Sequence, residues 1–234
     1  MPNSVFRDLI QLVVDRDADA AERLLRAHPE LASMASPSGA TRGQSTEYFY
    51  PAIGHYLYAG DTALHMAAAA LSKPIAERLI LCDADPRARN RRGAEPLHYA
   101  ADGDRLKTQE QSEGIRYLVS VGADPNAVDR SGVTPLHRAV RRRSLAACRA
   151  LLDCGADPLR RNGSGSMPLH LAVQTTGASG SATPTARENQ AAIIKLLIEH
   201  GARPADRDAK GKTVAEAATS EWIRQLLLAE WPGQ

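Results

Sequence analysis

The sequence predicts an all-α solenoid of about six helix-turn-helix units with β-turn tips and three loop insertions. Three observations predict it. Two phrases recur in register along the chain. The apolar content, 43%, is dominated by Ala and Leu, which favours close-packed helices over strands. Gly and Pro recur where a helix has to stop.

The N-terminal stretch "VFRDLIQLVVDRDADAAERLLRAHPELA" carries two helical periodicities, near Ser4–Val14 and Asp19–Ala27. The first phrase then appears as "GDTALHMAA" from Gly60, "GAEPLHYAA" from Gly93, "GVTPLHRAV" from Gly132 and "GSMPLHLAV" from Gly165. A decayed copy, "GKTVAEAA", starts at Gly211. The intervals are 33, 39, 33 and 46 residues. The second phrase keeps step: "LILCDADP" ends at Pro86, "LVSVGADP" at Pro125, "LLDCGADP" at Pro158 and "LLIEHGARP" at Pro204.

One unit shows the logic. Thr134 caps a helix, and Pro135 suits its first turn. Leu136, Ala139 and Val140 form its apolar stripe, and Leu145–Asp153 forms a second amphipathic helix. Gly155 ends that helix in the left-handed region, and Pro158 prevents its continuation. Neither helix is long enough to stand alone, so stacking must supply the core. In the Gly60 unit, Lys73-Pro74 starts the second helix, and Asp83 takes the place of the helix-ending Gly. Glu95 and Met167 stand where Thr caps best, which weakens those two caps.

The recurring Gly-x-Thr-Pro-Leu-His-x-Ala, followed by Leu-Leu-x-x-Gly-Ala-Asp-Pro at a 33-residue period, resembles the ankyrin repeat. The resemblance runs from Leu57 to about Leu228. It implies a single array: an N-terminal capping pair over 1–31, an inserted aromatic loop over 32–59, four repeats over 60–204 and a C-terminal capping repeat over 205–234. It also implies a protein-interaction module that binds through its concave and turn-tip surface.

Longer intervals locate the insertions. One of about six residues lies near Gly103–Gly114, between two helices of a unit. One of about 13 lies in Gln174–Gln190, where Gly, Ser, Thr and Ala without apolar periodicity read as a mobile loop. The third, Ala32–Tyr58, begins polar and turns aromatic. It holds Tyr48, Phe49, Tyr50, Tyr56 and Tyr58, half of the aromatic residues in the chain. These rings either fold back over the concave side or stay exposed as anchors for a partner.

The net charge of +2 hides an asymmetry. Residues 86–161 hold 15 Lys plus Arg against 9 Asp plus Glu. Arg89, Arg91 and Arg92 share one inter-unit turn, and Arg130 and Arg161 fall in the next two. Arg138, Arg141 and Arg142 lie on or just after the first helix of the Gly132 unit. By the resemblance these arginines line one strip, which would steer an acidic partner protein. Some are expected to pair with Asp102, Asp104 or Asp129. A solvated Arg-rich surface is the plain alternative. Other readings are a nucleic acid or acidic ligand on the same strip, or a small-molecule pocket under the aromatic loop.

Other motifs carry no chemistry. His65, His98, His137 and His170 recur in "LH" and are expected to tie each turn to its helix, a layer apart and too far for one ion. Cys148 and Cys154, six apart, do not have zinc spacing. "GKT" at Gly211 lacks the earlier Gly of a phosphate loop, since Asp206 stands there. No nucleophile elbow or metal triad is present, so neither enzyme activity nor a cofactor is expected. No apolar run spans a membrane, no signal peptide is visible, and three cysteines suit a reducing compartment. A cytoplasmic monomer is the expectation.

Overall fold

The computed structural model describes residues 4–41, 43, 45–174 and 184–230. Six helical pairs follow one another: α1 (Ser4–Asp15) with α2 (Ala18–Ala27), α3 (Ala63–Ala69) with α4 (Lys73–Leu81), and α5 (Pro96–Ala101) with α6 (Thr108–Ser120). Then come α7 (Pro135–Arg142) with α8 (Leu145–Asp153), α9 (Pro168–Ala172) with α10 (Pro184–Glu199), and α11 (Val214–Ala217) with α12 (Glu221–Glu230). First helices stack on first helices and second on second, as α3 on α5 and α6 on α8.

The same residue positions are buried in every unit. Leu64, Leu97, Leu136, Leu169 and Val214 are at most 1% exposed. In the second helices Leu79, Leu118, Leu151 and Leu197 are equally hidden. Each such side chain contributes on the order of 2 kcal/mol relative to exposure. Ala67, Ala100, Ala139 and Ala172 are buried between neighbouring first helices and let them approach.

Helix ends repeat as faithfully. Thr134 is extended and its side chain accepts from the His137 N–H, as its sequence position predicts. The N–H groups of Ala84, Ala123, Ala156 and Ala202 each return to the carbonyl five residues back, a hydrogen bond of 2.9–3.0 Å. Gly155 has φ +87° and Asp83 has φ +62°, so the Asp does occupy the left-handed position. A second set of left-handed residues was not legible in sequence: Arg16, Leu71 and Arg143 turn the chain from first to second helix. Glu95 and Met167 lack a Thr hydroxyl, yet their N–H groups still donate to His98 and His170 Nδ1.

The four histidines form one device. Each Nδ1 accepts from the N–H of its own cap residue: Thr62, Glu95, Thr134 or Met167. The proton therefore sits on Nε2. Nε2–H then donates to a carbonyl of the next unit: Ala94, Val133, Ser166 or Lys212, at 3.0–3.3 Å. The expected tie within a unit is thus also a tie between units. Turn tips repeat too. Asn90, Asp129, Asn162 and Asp208 each accept from backbone N–H groups two and four residues on.

The insertions differ from one another. The residues after Lys107 lengthen α6 to 13 residues, against 9 in α8. The expectation of a loop reaching Gln190 is corrected, because 184–190 are helical. Ala, Arg, Glu and Gln are good helix formers, and Pro184 suits a first turn. Gln190 is buried and donates to the Ala172 carbonyl at 2.7 Å, as Gln111 does to Ala100 at 2.9 Å. Residues 175–183 of that insertion lie outside the described residues.

The third insertion holds a hairpin, β1 (Phe49–Tyr50) and β2 (His55–Tyr56), which pairs Phe49 with Tyr56 and Tyr50 with His55. Its polar lead-in runs against the chain entering α3, through Ser36 N–H to Asp61 and Ala40 N–H to Leu57. A Cβ at Gly39 would lie 2.4 Å from the Tyr58 and Ala59 backbone, so only glycine fits there. Cys148 is buried in the core, which pushes its thiol pKa upward. Cys82 and Cys154 sit half-exposed at the ends of α4 and α8.

Candidate interaction surface

The hairpin lies against the first helices, where His55 meets α5. The His55 ring packs on Tyr99 of α5 at 4.3 Å, and Tyr99 meets His65 edge-on at 5.1 Å. Beneath them Asp61 is fully buried. Its carboxylate accepts from the Tyr99 hydroxyl at 2.7 Å, Asn90 Nδ2 at 2.8 Å and the Tyr58 N–H at 2.6 Å. Burial and then the Asp61 charge hold the Tyr99 pKa far above its usual value. Burial likewise lowers the pKa of His55 and His65, so both rings are neutral. This network clamps the hairpin to two units at once.

The aromatic stretch is neither hidden nor free. Tyr48, Tyr50 and Tyr58 pack half-buried against the core, and the Tyr48 hydroxyl donates to Ser38 Oγ. Phe49 is 37% exposed and packs on Tyr56 at 4.7 Å between ring centres, with Tyr58 beyond at 6.2 Å. The Arg92 guanidinium lies 5.0 Å from the Tyr58 ring centre and Arg91 lies 6.0 Å from it.

A cavity of about 370 Å³ opens between the hairpin and the ends of α3, α5 and α7. Tyr56, Tyr58, Arg92, Arg138 and Arg142 line it, together with Lys107. Asp102 on its wall takes Arg142 at 3.5 Å and Arg138 at 3.9 Å. Arg138 is only 13% exposed and is bound mainly to Asp129, at 3.1 Å. Desolvation pushes the Asp129 pKa upward. The N–H groups of Val133 and Ser131, then Arg138, outweigh that and leave it lowered.

The remaining arginines diverge. Arg91 reaches the Ala40 carbonyl at 2.5 Å and so pins the insertion. Arg89 donates to the Val128 carbonyl and lies 3.4 Å from Glu95. Arg89 and Arg130 flank a separate depression on the turn tips. Arg161 folds back on Gly165, and Arg141 is exposed. The structure therefore gathers Tyr56, Tyr58, Arg92, Arg138 and Arg142 at one cavity. Phe49 stands beside that cavity on Tyr56, and Arg130, Arg141 and Arg161 lie elsewhere on the surface.

Sequence reasoning missed Asp61, Asn90, Tyr99 and Lys107. Asp61 had a signal. Ala94, Val133 and Ser166 stand at its position in the other units, so a carboxylate there breaks the pattern.

A family model of ankyrin repeats in three copies matches residues 20–129, 64–162 and 106–183, and a single ankyrin repeat model matches 164–212. The chain belongs to the ankyrin repeat family. Comparison with curated proteins gives no match. Among the described residues no helix is long and apolar enough to cross a membrane. Nor does any group of three or more His, Cys, Asp or Glu there suit a metal ion.

Proposed function

We propose that this chain is a non-catalytic protein-interaction module. Its partner protein seats on the concave face beside the hairpin and on the neighbouring turn tips. The observation that carries this reading is the half-exposed edge of Phe49, Tyr56 and Tyr58 beside the guanidiniums of Arg91 and Arg92. Large rings and Arg forks are the groups that dominate interface energy. The cations favour a partner with an acidic patch. The repeats over 60–204 form the binding body, and the pairs before and after close its ends.

Capture from a lysate of the source cells tests this. Wild type should retain a discrete partner that the Phe49→Ala/Tyr56→Ala and Arg92→Glu/Arg141→Glu variants lose at least tenfold. Undiminished capture by both variants would overturn the reading. Arg138→Glu is unsuitable, since Arg138 is bound into the fold. A second reading, an acidic small ligand in the cavity, is favoured by Arg92, Lys107, Arg138 and Arg142, which outnumber Asp102 and Asp104 there. A dicarboxylate that raises the melting temperature of wild type but not of Arg92→Gln would support it.

A further inference from the structure

At the edge of the stack away from the inter-unit turns, the second helices of successive units begin. There the chain entering α6 and the first turns of α6, α8 and α10 border an open cavity of about 530 Å³, with Arg105, Arg116 and Arg149 exposed on its rim. Arg105, Arg116, Arg143 and Arg149 line it, with Leu106 and Leu145 as apolar wall, and among the described residues no Asp or Glu does. Arg116 reaches out to Asp153 at 2.9 Å. Arg143 donates to the Gln174 carbonyl at 2.7 Å. Among the described residues, Arg105 and Arg149 have no ion pair. Burial, and then the charge of Arg105, lower the Arg143 pKa.

The fold supplies its own control one unit earlier. An equivalent cavity of about 310 Å³ lies between the starts of α4 and α6. Arg16 has the same left-handed turn as Arg143, and it donates to the Leu71 carbonyl at the same 2.7 Å. There Arg16 and Lys73 face Glu110 and Glu113, so the charges balance. The backbone brace is shared, and of these two cavities the charge is unbalanced in the larger. An Arg-rich composition spread evenly would not produce that difference.

Arg116 is offset by Asp153, but Arg105 and Arg149 are not, and the charge of Arg105 acts on Arg143, so the space is net positive; the positive ends of α6 and α8 add to the field. The first turn of α6 has no side-chain cap, whereas that of α8 is capped by Ser144, which accepts from the Ala147 N–H. Guanidinium forks match the paired oxygens of an oxyanion. The volume falls in the range of small-ligand sites. We propose that this cavity binds a small, multiply charged oxyanion of the phosphate or diphosphate kind. It is separate from the concave surface, so its test does not depend on partner binding.

Calorimetric titration of the full chain with inorganic pyrophosphate at low salt is the test. One saturable site is expected. Arg105→Gln with Arg149→Gln should weaken it at least tenfold, with unchanged helix content and denaturation midpoint. Arg92→Gln with Arg142→Gln, on the concave side, should leave it intact. A short phosphoserine peptide forms the second arm. Binding of the peptide with the same arginine dependence assigns the anion to a modified partner. Binding of pyrophosphate alone assigns it to a free metabolite. No saturable binding of either probe would overturn the proposal, as would binding that only the concave pair of substitutions weakens.

Discussion

The two flanks of the same units use arginine in opposite ways. On the concave flank Arg138 is bound by Asp129 and Asp102, Arg142 by Asp102, and Arg91 by a carbonyl of the insertion. On the opposite flank Arg105 and Arg149 share a cavity with two further arginines and, among the described residues, no carboxylate. The first group holds the fold together. In the second, Arg116 and Arg143 still make ties within the fold, while Arg105 and Arg149 make no ion pair among the described residues. Counting arginines along a chain does not distinguish these roles, because the answer lies in which carboxylates the stacking brings alongside.

If that contrast is right, perturbing the buried polar ties costs stability and perturbing the opposite flank does not. The largest effect is expected on acidification. Burial, and then the charge of Arg138, lower the His98 pKa to about 3. Burial lowers that of His137 to about 4, against about 6.5 for both when unfolded. Below pH 6.5 the unfolded chain binds protons that the folded chain refuses. Their contribution is therefore complete above that pH and lost as it falls toward about 4 for His137 and about 3 for His98. Glu95 opposes this. Burial raises its pKa from 4.5 to about 7, so it favours the fold as pH falls through that window. Urea midpoints measured from pH 7 to 4.5 should fall more steeply for Glu95→Gln than for wild type.

Next in size is Asp61→Ala. It strands the Tyr99 O–H, one of the two Asn90 amide N–H groups and the Tyr58 N–H in the interior, and should cost about 3 kcal/mol in urea denaturation. Arg138→Met should cost about 2 kcal/mol, because it leaves Asp129 without its counter-ion. Smallest is the Arg105→Gln/Arg149→Gln pair, expected within about 0.5 kcal/mol of wild type. A loss as large as that of Arg138→Met would erase the contrast.

Much of the repeat frame was legible in the residues. Leu145–Asp153 is helical as its spacing predicts, Thr134 caps, and Asp83 enters the left-handed region. Those features depend on neighbours within a few positions, where pattern and propensity agree. The hairpin was not legible. Its strands are two residues each, too short for any alternation, and long-range contacts such as His55 on Tyr99 hold it. Residues 184–190 misled for the opposite reason. Their polar composition suggested a loop, while a single buried amide, Gln190, anchors them as helix. The cavity residues Asp102 and Lys107 come from one unit and the arginines from two neighbours, so only stacking brings them together.

The half-exposed thiols at the ends of α4 and α8 occupy the same place in units separated by one other. With layers about 10 Å apart, they stand roughly 20 Å from each other along the stack. The third thiol is sealed inside, so a maleimide dye or spin label would go to these two. The protein thus carries its own ruler. Spectroscopy on the labelled pair would report whether the spring of stacked units stretches or twists when something docks.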